Sequence, residues 1–249
     1  MKRSLCILLT VSLIIGVFAC ALAEAEALSA EDMLAKGIQY EAGDGVEQDY
    51  AQAMEWYLKA AEAGSGEAMY KIGKFFQAGI GVDIDYVLAM EWALKGSEAG
   101  NSNAMNLVGY LYNFGLGVDV DYNLAMEWYL KAAEAGNTKA MNNIGELYYY
   151  GYGVEEDYRL AMEWYLKAVD AGNLPDSMFN IGWMYYNGEG VKKDVKTAAE
   201  WYRKSAEGGN AEAMYRYAQM LEKGQGGLKK DKELAQEWYD KAEAAGYNP

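Results

Sequence analysis

The chain has 249 residues, and 52% of them are apolar, so it can bury a substantial core and is not globally disordered. Its 37 acidic residues against 22 basic ones give a formal net charge of -15, which excludes nucleic acid and anionic lipid headgroups as favoured partners. Histidine is absent, which removes the commonest general base, and two prolines in the whole chain favour a mainly helical protein.

The first predicted element is a signal peptide covering residues 1–23. Lys2 and Arg3 give it a basic start, residues 5–17 are an apolar stretch, and residues 21–23 match the small-x-small pattern that precedes cleavage. We therefore expect a secreted or periplasmic bacterial protein that is cleaved at this point, with residues 24–28 as a linker.

Cys20 leaves an alternative open for the same segment. Residues 17–20 are a poor lipobox because Phe18 is bulky, but lipid attachment at Cys20 would tie the protein to a membrane. An uncleaved anchor fits less well, since the apolar stretch is shorter than the roughly 20 residues that a spanning helix needs. Cleavage would also remove Lys2, Arg3 and both cysteines, which leaves no disulfide and brings the net charge to about -17. Such a surface favours basic or neutral partners.

From residue 29 to residue 246 the chain repeats one pattern about every 36 residues. A fixed period of this length indicates a solenoid, whose units bury their apolar faces against their neighbours. Tryptophan recurs at Trp56, Trp92, Trp128, Trp164, Trp201 and Trp238. The predicted units are approximately 29–64, 65–100, 101–136, 137–172, 173–209 and 210–246, followed by a tail at 247–249.

Each unit is predicted to contain two helices. In the second unit, residues 67–76 have apolar and small residues at helical spacing, and Gly79 falls where a helix can end in a left-handed residue. Asp85 then follows as the N-cap of the second helix, and in the first unit Gln52 makes a capping box possible. The same aspartate recurs as Asp49, Asp121, Asp157, Asp194 and Asp231.

Glycine and tryptophan are predicted to pack the helices together. Glycine inside a helix costs about 1 kcal/mol relative to alanine, so its recurrence indicates a close helix contact. We expect the indole to fill the gap beside it, and Trp128→Ala to cost about 3–5 kcal/mol if the ring is buried between units. The helix glycines are Gly37, Gly73, Gly109, Gly145 and Gly182.

Glutamate and lysine recur four residues apart on the second helix. This spacing favours ion pairs on a solvated outer face, each contributing about 0.2–0.5 kcal/mol. The pairs are Glu55–Lys59, Glu91–Lys95, Glu127–Lys131, Glu163–Lys167, Glu200–Lys204 and Glu237–Lys241.

Residues 125–136, preceded by the glycine pair of residues 115–117 and by Asp121, resemble the Sel-1-like repeat, a relative of the tetratricopeptide repeat. The resemblance extends over residues 29–246 in six units. It implies an all-α fold, a right-handed α/α superhelical solenoid of six helix-turn-helix repeats that works as a scaffold or adaptor. One subgroup with disulfide-bonded helix pairs has been linked to β-lactams; this chain lacks those cysteines, so that activity is not implied.

The resemblance also implies a binding groove along the concave face, lined by the first helix of each unit. The inward positions lie three residues before and one after each helix glycine: Leu34 and Ile38, Tyr70 and Lys74, Asn106 and Tyr110, Asn142 and Glu146, Phe179 and Trp183, Tyr215 and Gln219, with Asn113, Tyr149 and Tyr186 one turn further. From these we select as binding residues Tyr70, Lys74, Asn106, Tyr110, Asn142, Glu146, Phe179, Trp183, Tyr186 and Tyr215. Amides can pair with an extended peptide backbone, and rings supply rigid apolar area.

Two of these residues have an alternative role. Trp183 lies outside the register of the other tryptophans, which makes it either the best single anchor of the groove or a filler of the core between units. Asn106 and Asn142 are either peptide-binding amides or merely exposed polar residues.

Other kinds of site are disfavoured. The glycine pairs lack the strand and the Lys-Ser/Thr that a phosphate loop needs, and the acidic turns lack a D-x-D-x-D-G calcium loop. No catalytic residue, metal or cofactor is predicted. The prediction is therefore a non-enzymatic scaffold that binds a protein or peptide; the alternatives are a receptor for a small molecule or cell-wall fragment and a carboxylate-dependent hydrolase.

Overall fold

The computed structural model describes residues 28–172 and 174–248, and within these ranges the chain forms twelve α-helices and no strand. The signal-peptide prediction, Cys6 and Cys20 lie outside the described residues. The helices are α1 Ala30–Ala42, α2 Tyr50–Glu62, α3 Gly66–Ala78, α4 Tyr86–Glu98, α5 Ser102–Phe114, α6 Tyr122–Glu134, α7 Thr138–Tyr150, α8 Tyr158–Gly172, α9 Pro175–Asn187, α10 Val195–Glu207, α11 Ala211–Lys223 and α12 Lys232–Ala244.

The helices form an array of six hairpins, which confirms the all-α repeat solenoid. Each helix packs against the helices before and after it in sequence, and the first helices α3 and α5 of successive hairpins also touch. None of the described helices combines the length and the apolar character needed to cross a membrane.

The ends of the helices follow the local chemistry of the sequence. The first helix of each hairpin ends at a glycine with φ between 64° and 84°, a conformation that residues with a Cβ rarely adopt. The predicted aspartates cap the second helices by accepting hydrogen bonds from backbone N–H groups of the first turn. The capping box at Gln52 is not formed; the capping box is instead at α1, between Ser29 and Asp32.

The residue that fills the gap beside the helix glycine is tyrosine, so the prediction for tryptophan was wrong. A Cβ placed on Gly145 would lie 2.5 Å from the ring of Tyr165, and Gly37, Gly109 and Gly182 face their tyrosines in the same way, at 2.4 to 2.9 Å. The buried tyrosines, each less than 2% exposed, are Tyr57, Tyr129, Tyr165 and Tyr202. This contact joins the two helices of one hairpin.

The periodic tryptophans are half-buried, and each has a lysine ammonium over its ring. The lysine is the one three residues later, and its Nζ lies 3.9 to 4.5 Å from the ring centroid. These are the lysines that the sequence pairs with glutamates, and none of the six predicted ion pairs forms, although all twelve residues are described. These lysines therefore make cation–π contacts with the tryptophans, and the i,i+4 ion pairs on the second helices are Arg159–Glu163 and Arg203–Glu207 instead.

Two hairpins depart from the glycine–tyrosine contact. In the second, Ala93 stands in the place of the tyrosine, and Leu107 of the next hairpin approaches Gly73. In the sixth, Ala218 replaces the glycine; Tyr239 is then only half-buried, and its hydroxyl donates to Glu222.

Candidate binding face

One side of the array is formed by the first helices α3, α5, α7, α9 and α11, and we call it the first-helix face. It carries two cavities that lie next to one another. The middle cavity has a volume of about 330 Å³ and runs from α3 to the start of α9. The aromatic cavity has a volume of about 250 Å³ and is lined from α7, α8, α9 and α11.

The middle cavity is lined by amides and cations. It brings together five of the residues predicted to bind, namely Tyr70, Lys74, Asn106, Tyr110 and Asn142. Lys139 and Asp176 also line it. Burial lowers the pKa of Lys74, and the nearby charge of Lys139 lowers it further.

Asn142 is neither an exposed amide nor a free binding group. It is only 6% exposed and lies between α7 and α9. Its Oδ1 accepts from Ser177 Oγ at 2.9 Å and from Asn180 Nδ2 at 3.2 Å, while its Nδ2 donates to Glu146 at 2.8 Å. Asn142 thus joins two successive hairpins and orients Glu146.

The aromatic cavity contains three more of the predicted residues: Glu146, Phe179 and Trp183. The indole Nε1 of Trp183 donates to the hydroxyl oxygen of Tyr149 at 3.0 Å, and that hydroxyl donates to Glu189 at 2.8 Å. These bonds fix the orientation of the two rings. The rest of the lining comes from Tyr149, Tyr150, Tyr165, Asn180 and Glu212.

Trp183 forms the wall between the aromatic cavity and a small crevice next to it. The crevice is also lined by Tyr186 and Arg216, and the Arg216 guanidinium lies 5.2 Å from the centroid of the Trp183 ring. Trp183 is half-buried, so it is part of the first-helix face and not wholly enclosed between units.

The Glu146 carboxylate lies at the wall of the aromatic cavity, where it accepts a hydrogen bond from Asn142. Burial raises its pKa; the charge of Asp176 raises it further, and the hydrogen bond from Asn142 acts in the opposite direction. A cationic group entering the cavity would restore the interaction that the carboxylate loses on leaving water.

Tyr215 lies apart from the other predicted residues. Its ring packs against Tyr239 and Tyr247, with centroids 5.2 Å and 5.1 Å away, in a separate cavity at the end of the array. Residues at this repeat position point towards the following hairpin, as Asn142 does, and after α11 and α12 the described chain has no further hairpin.

The repeat itself is shared with a known family. The model of the Sel1 repeat matches residues 28–65, 66–101, 102–137, 138–173, 175–210 and 211–247. The chain belongs to the Sel1 repeat family. Sel1 repeat proteins generally mediate protein–protein interactions and are typically non-enzymatic.

Solved structures of Sel1 repeat proteins are similar to this chain. A Sel1 repeat protein from Oxalobacter formigenes is 34% identical with a TM-score of 0.80, over 87% of this chain and 88% of that one. The protective antigen c5321 of uropathogenic Escherichia coli is 34% identical with a TM-score of 0.65, over 90% of this chain but 48% of the antigen. The immunity protein Pa5087 of Pseudomonas aeruginosa, at 20% identity and a TM-score of 0.62 over 87% of this chain and 81% of that one, shows the fold alone. A comparison with curated proteins found no match.

Sequence reasoning missed one repeat position in this Sel1 array. Lys139, Asp176 and Glu212 line the two cavities, and each lies six residues before the helix glycine or its equivalent. Glu67 and Asn103 occupy the same position in earlier units. The N-cap asparagine of the next first helix donates to several of them, for example Asn210 to Asp176 at 2.8 Å. The charge at this repeat position changes from unit to unit, and that change is the sequence signal from which Lys139, Asp176 and Glu212 could have been predicted.

Metal binding has no support in the described residues. Across 28–172 and 174–248, no group of three or more histidine, cysteine, aspartate or glutamate side chains is placed to hold a metal ion.

Proposed function

We propose that this Sel1 repeat chain is an exported scaffold or adaptor that binds another protein or a peptide through its first-helix face, the concave side of the array. One observation carries the proposal: two cavities lie side by side on this face and are lined by successive first helices. A ligand that filled both would have to extend along the array, as a peptide segment does.

The two cavities differ in charge, which supports a partner of mixed polarity. The middle cavity offers Lys74 and Lys139, against one acidic side chain, Asp176, beside amides, whereas the aromatic cavity offers Glu146 and Glu212 beside rings. Complementary charges along a binding face contribute more to specificity and association rate than to affinity. A partner segment with an acidic group over the first cavity and a basic group over the second fits this order.

Export is the second part of the proposal, and residues 1–23 support it by their basic start, apolar stretch and small-x-small end. Mass spectrometry of the protein from fractionated bacterial cells tests it. An N-terminus at Glu24 in the periplasm or medium supports cleavage; a lipid on Cys20 supports the membrane-tethered alternative. An intact N-terminus in the cytoplasm refutes export.

The binding face is tested by capture of partners from envelope extract. Trp183→Ala removes a ring from the first-helix face, and Trp92→Ala removes a half-buried ring from the outer face as the matched control. We expect proteins retained by the wild type to be lost with Trp183→Ala and kept with Trp92→Ala. Equal retention by both variants contradicts the proposed face.

Photo-crosslinking gives an independent answer. A photoreactive phenylalanine analogue in place of Tyr110 would report on the first-helix face, and the same analogue in place of the exposed Leu130 would report on the outer face. Cross-links to the same partner from position 110 and none from position 130 support the proposal; the reverse pattern overturns it.

A further inference from the structure

We infer that the aromatic cavity takes up one alkylammonium group, supplied by the side chain of a lysine in the partner. The inference rests on the proposed function, because it specifies the chemistry of the partner that the first-helix face would bind. The same ammonium chemistry could come from a free amine, and the test below separates the two sources.

Aromatic rings surround the cavity on several sides. Trp183, Tyr149, Tyr150 and Phe179 line it together, and the Trp183 and Phe179 ring centroids are 6.5 Å apart. The faces of such rings attract cations, most strongly for tryptophan, and several rings around one space are the known way to recognise ammonium groups. Hydrogen bonds hold Trp183 and Tyr149 in place, so little entropy is lost on binding.

The wall of the aromatic cavity carries acidic side chains. Glu146 and Glu212 line the cavity, and among the described residues no lysine or arginine lines it. Arg216 on the far side of Trp183 pairs with Glu212 at 3.1 Å. Glu146 has the Asn142 amide as its hydrogen-bond partner, so its charge is left for an incoming cation.

The volume of the aromatic cavity fits a small group. Pockets for drug-sized ligands have volumes of about 300–1,000 Å³, and the aromatic cavity is smaller, at about 250 Å³. It suits a single long side chain whose methylenes can contact the rings while the ammonium reaches the carboxylate. The middle cavity offers the same group a lining of net positive charge, because Lys74 and Lys139 outnumber Asp176 there.

The test measures binding of short probes to the full chain by calorimetry. The probes are a terminally blocked Gly-Gly-Lys-Gly-Gly peptide, the same peptide with norleucine in place of lysine, and butylammonium chloride. We expect the lysine peptide to bind about tenfold or more tightly than the norleucine peptide, because the charge is the group recognised. Equal binding of the two peptides overturns the inference.

Variants locate the site. Glu146→Gln keeps the shape and the acceptor for Asn142 but removes the charge, and we expect it to weaken binding of the lysine peptide about tenfold. Tyr150→Leu removes an exposed ring without opening the core, and we expect a severalfold loss. Glu127→Gln, on the exposed outer face, is the matched control and leaves binding unchanged. Unchanged binding in both Glu146→Gln and Tyr150→Leu, with unchanged helicity, overturns the inference.

The outcomes separate this inference from the proposed function. Butylammonium binding as tightly as the lysine peptide supports the ammonium site but overturns the assignment to a lysine of the partner; weaker binding supports lysine within a peptide. Partner capture that depends on Trp183 without lysine-peptide binding overturns the inference alone. Lysine-peptide binding without any captured partner supports the site and contradicts the scaffold proposal.

Discussion

Two neighbouring aromatic residues of α6 have different positions in the packing. Tyr129 is 1% exposed and lies against Gly109, whereas Trp128 is half-buried beneath the ammonium of Lys131. We therefore expect the larger ring to contribute less to stability than the tyrosine. The deeper position of Tyr129 is a consequence of Gly109, because the tyrosine ring occupies the space that a side chain at Gly109 would fill.

The difference predicts the result of two alanine substitutions. Tyr129→Ala is expected to lower the free energy of unfolding by about 3–5 kcal/mol, since it removes a fully buried ring and leaves a cavity. Trp128→Ala is expected to cost clearly less, because part of its ring already faces water. Urea unfolding followed by circular dichroism measures both, and a larger loss for Trp128→Ala would contradict this packing.

Glu146 gives a second prediction at the scale of the residue. Its pKa in the folded state is raised above the ordinary value of 4.5, so the folded chain binds more protons than the unfolded chain between these two values. The free energy of unfolding therefore falls as the pH rises through this window, and below the window Glu146 does not lower it. Glu146→Gln is expected to be more stable than the wild type at pH 7, with the difference shrinking towards pH 4.

Thermal unfolding across this pH range measures the effect. A difference of about 1 kcal/mol would move Tm by about 2–4 °C for a chain of this size, which is easily resolved. Glu127→Gln is the matched control and should follow the pH dependence of the wild type. A Glu146→Gln variant that is less stable than the wild type at pH 7 would refute this account of the carboxylate.

At the scale of the helix, the aspartate caps define where each second helix begins. Asp121 accepts hydrogen bonds from the backbone N–H groups of Asn123 and Leu124, at 3.0 Å each. Asp119, two residues earlier in the same acidic turn, is exposed and makes none of the described hydrogen bonds. The two aspartates therefore form a natural comparison between a cap and a surface charge.

Alanine at the cap is expected to be the costly change. Asp121→Ala should lower the stability by about 1 kcal/mol, because two backbone donors lose their acceptor. Asp119→Ala should stay within about 0.5 kcal/mol of the wild type, as surface substitutions usually do. Equal losses for the two variants, measured by urea unfolding, would mean that general charge and not capping determines the effect.

Helix boundaries could be read from the sequence because caps depend on local backbone chemistry. Gly79 and Asp85 end and begin helices through interactions within a few residues, and the period repeats this information six times. The relative depth of Trp128 and Tyr129 could not be read, since both are large, apolar and adjacent. The lysine over each tryptophan was missed for a similar reason: lysine three residues after tryptophan and four after glutamate fits both pairings.

The candidate site was predictable where it depends on the repeat and unpredictable where it depends on neighbours. Counting from the helix glycine located nine of the nineteen residues that line the two cavities. It could not show that the following hairpin would cover Asn142, through Ser177 and Asn180. Nor could it show that Tyr215 would lie in a separate cavity, away from the middle and aromatic cavities. Burial at these positions depends on the next unit, which the pattern of a single unit does not contain.

At the scale of the whole molecule, each hairpin is stabilised by its own contacts and by those with adjacent hairpins. In such an array, stability is approximately a sum of unit and nearest-neighbour terms, so the end units are the weakest. Hydrogen exchange is therefore expected to be slowest in the central helices α5 to α8 and fastest in α1 and α12. Equal protection from α1 to α12, measured by mass spectrometry of peptic fragments, would instead show a single cooperative unit.

The glycine–tyrosine contact has a consequence for how such a protein can change over evolutionary time. Because that contact closes four of the six hairpins on themselves, a neighbouring position on the first helix is free to vary without loosening the closure. Ile38, Tyr110, Glu146 and Trp183 occupy equivalent positions in these four hairpins and have four different chemistries. One recurring joint thus allows a row of independently adjustable side chains, and a new ligand preference can arise through changes in a single unit.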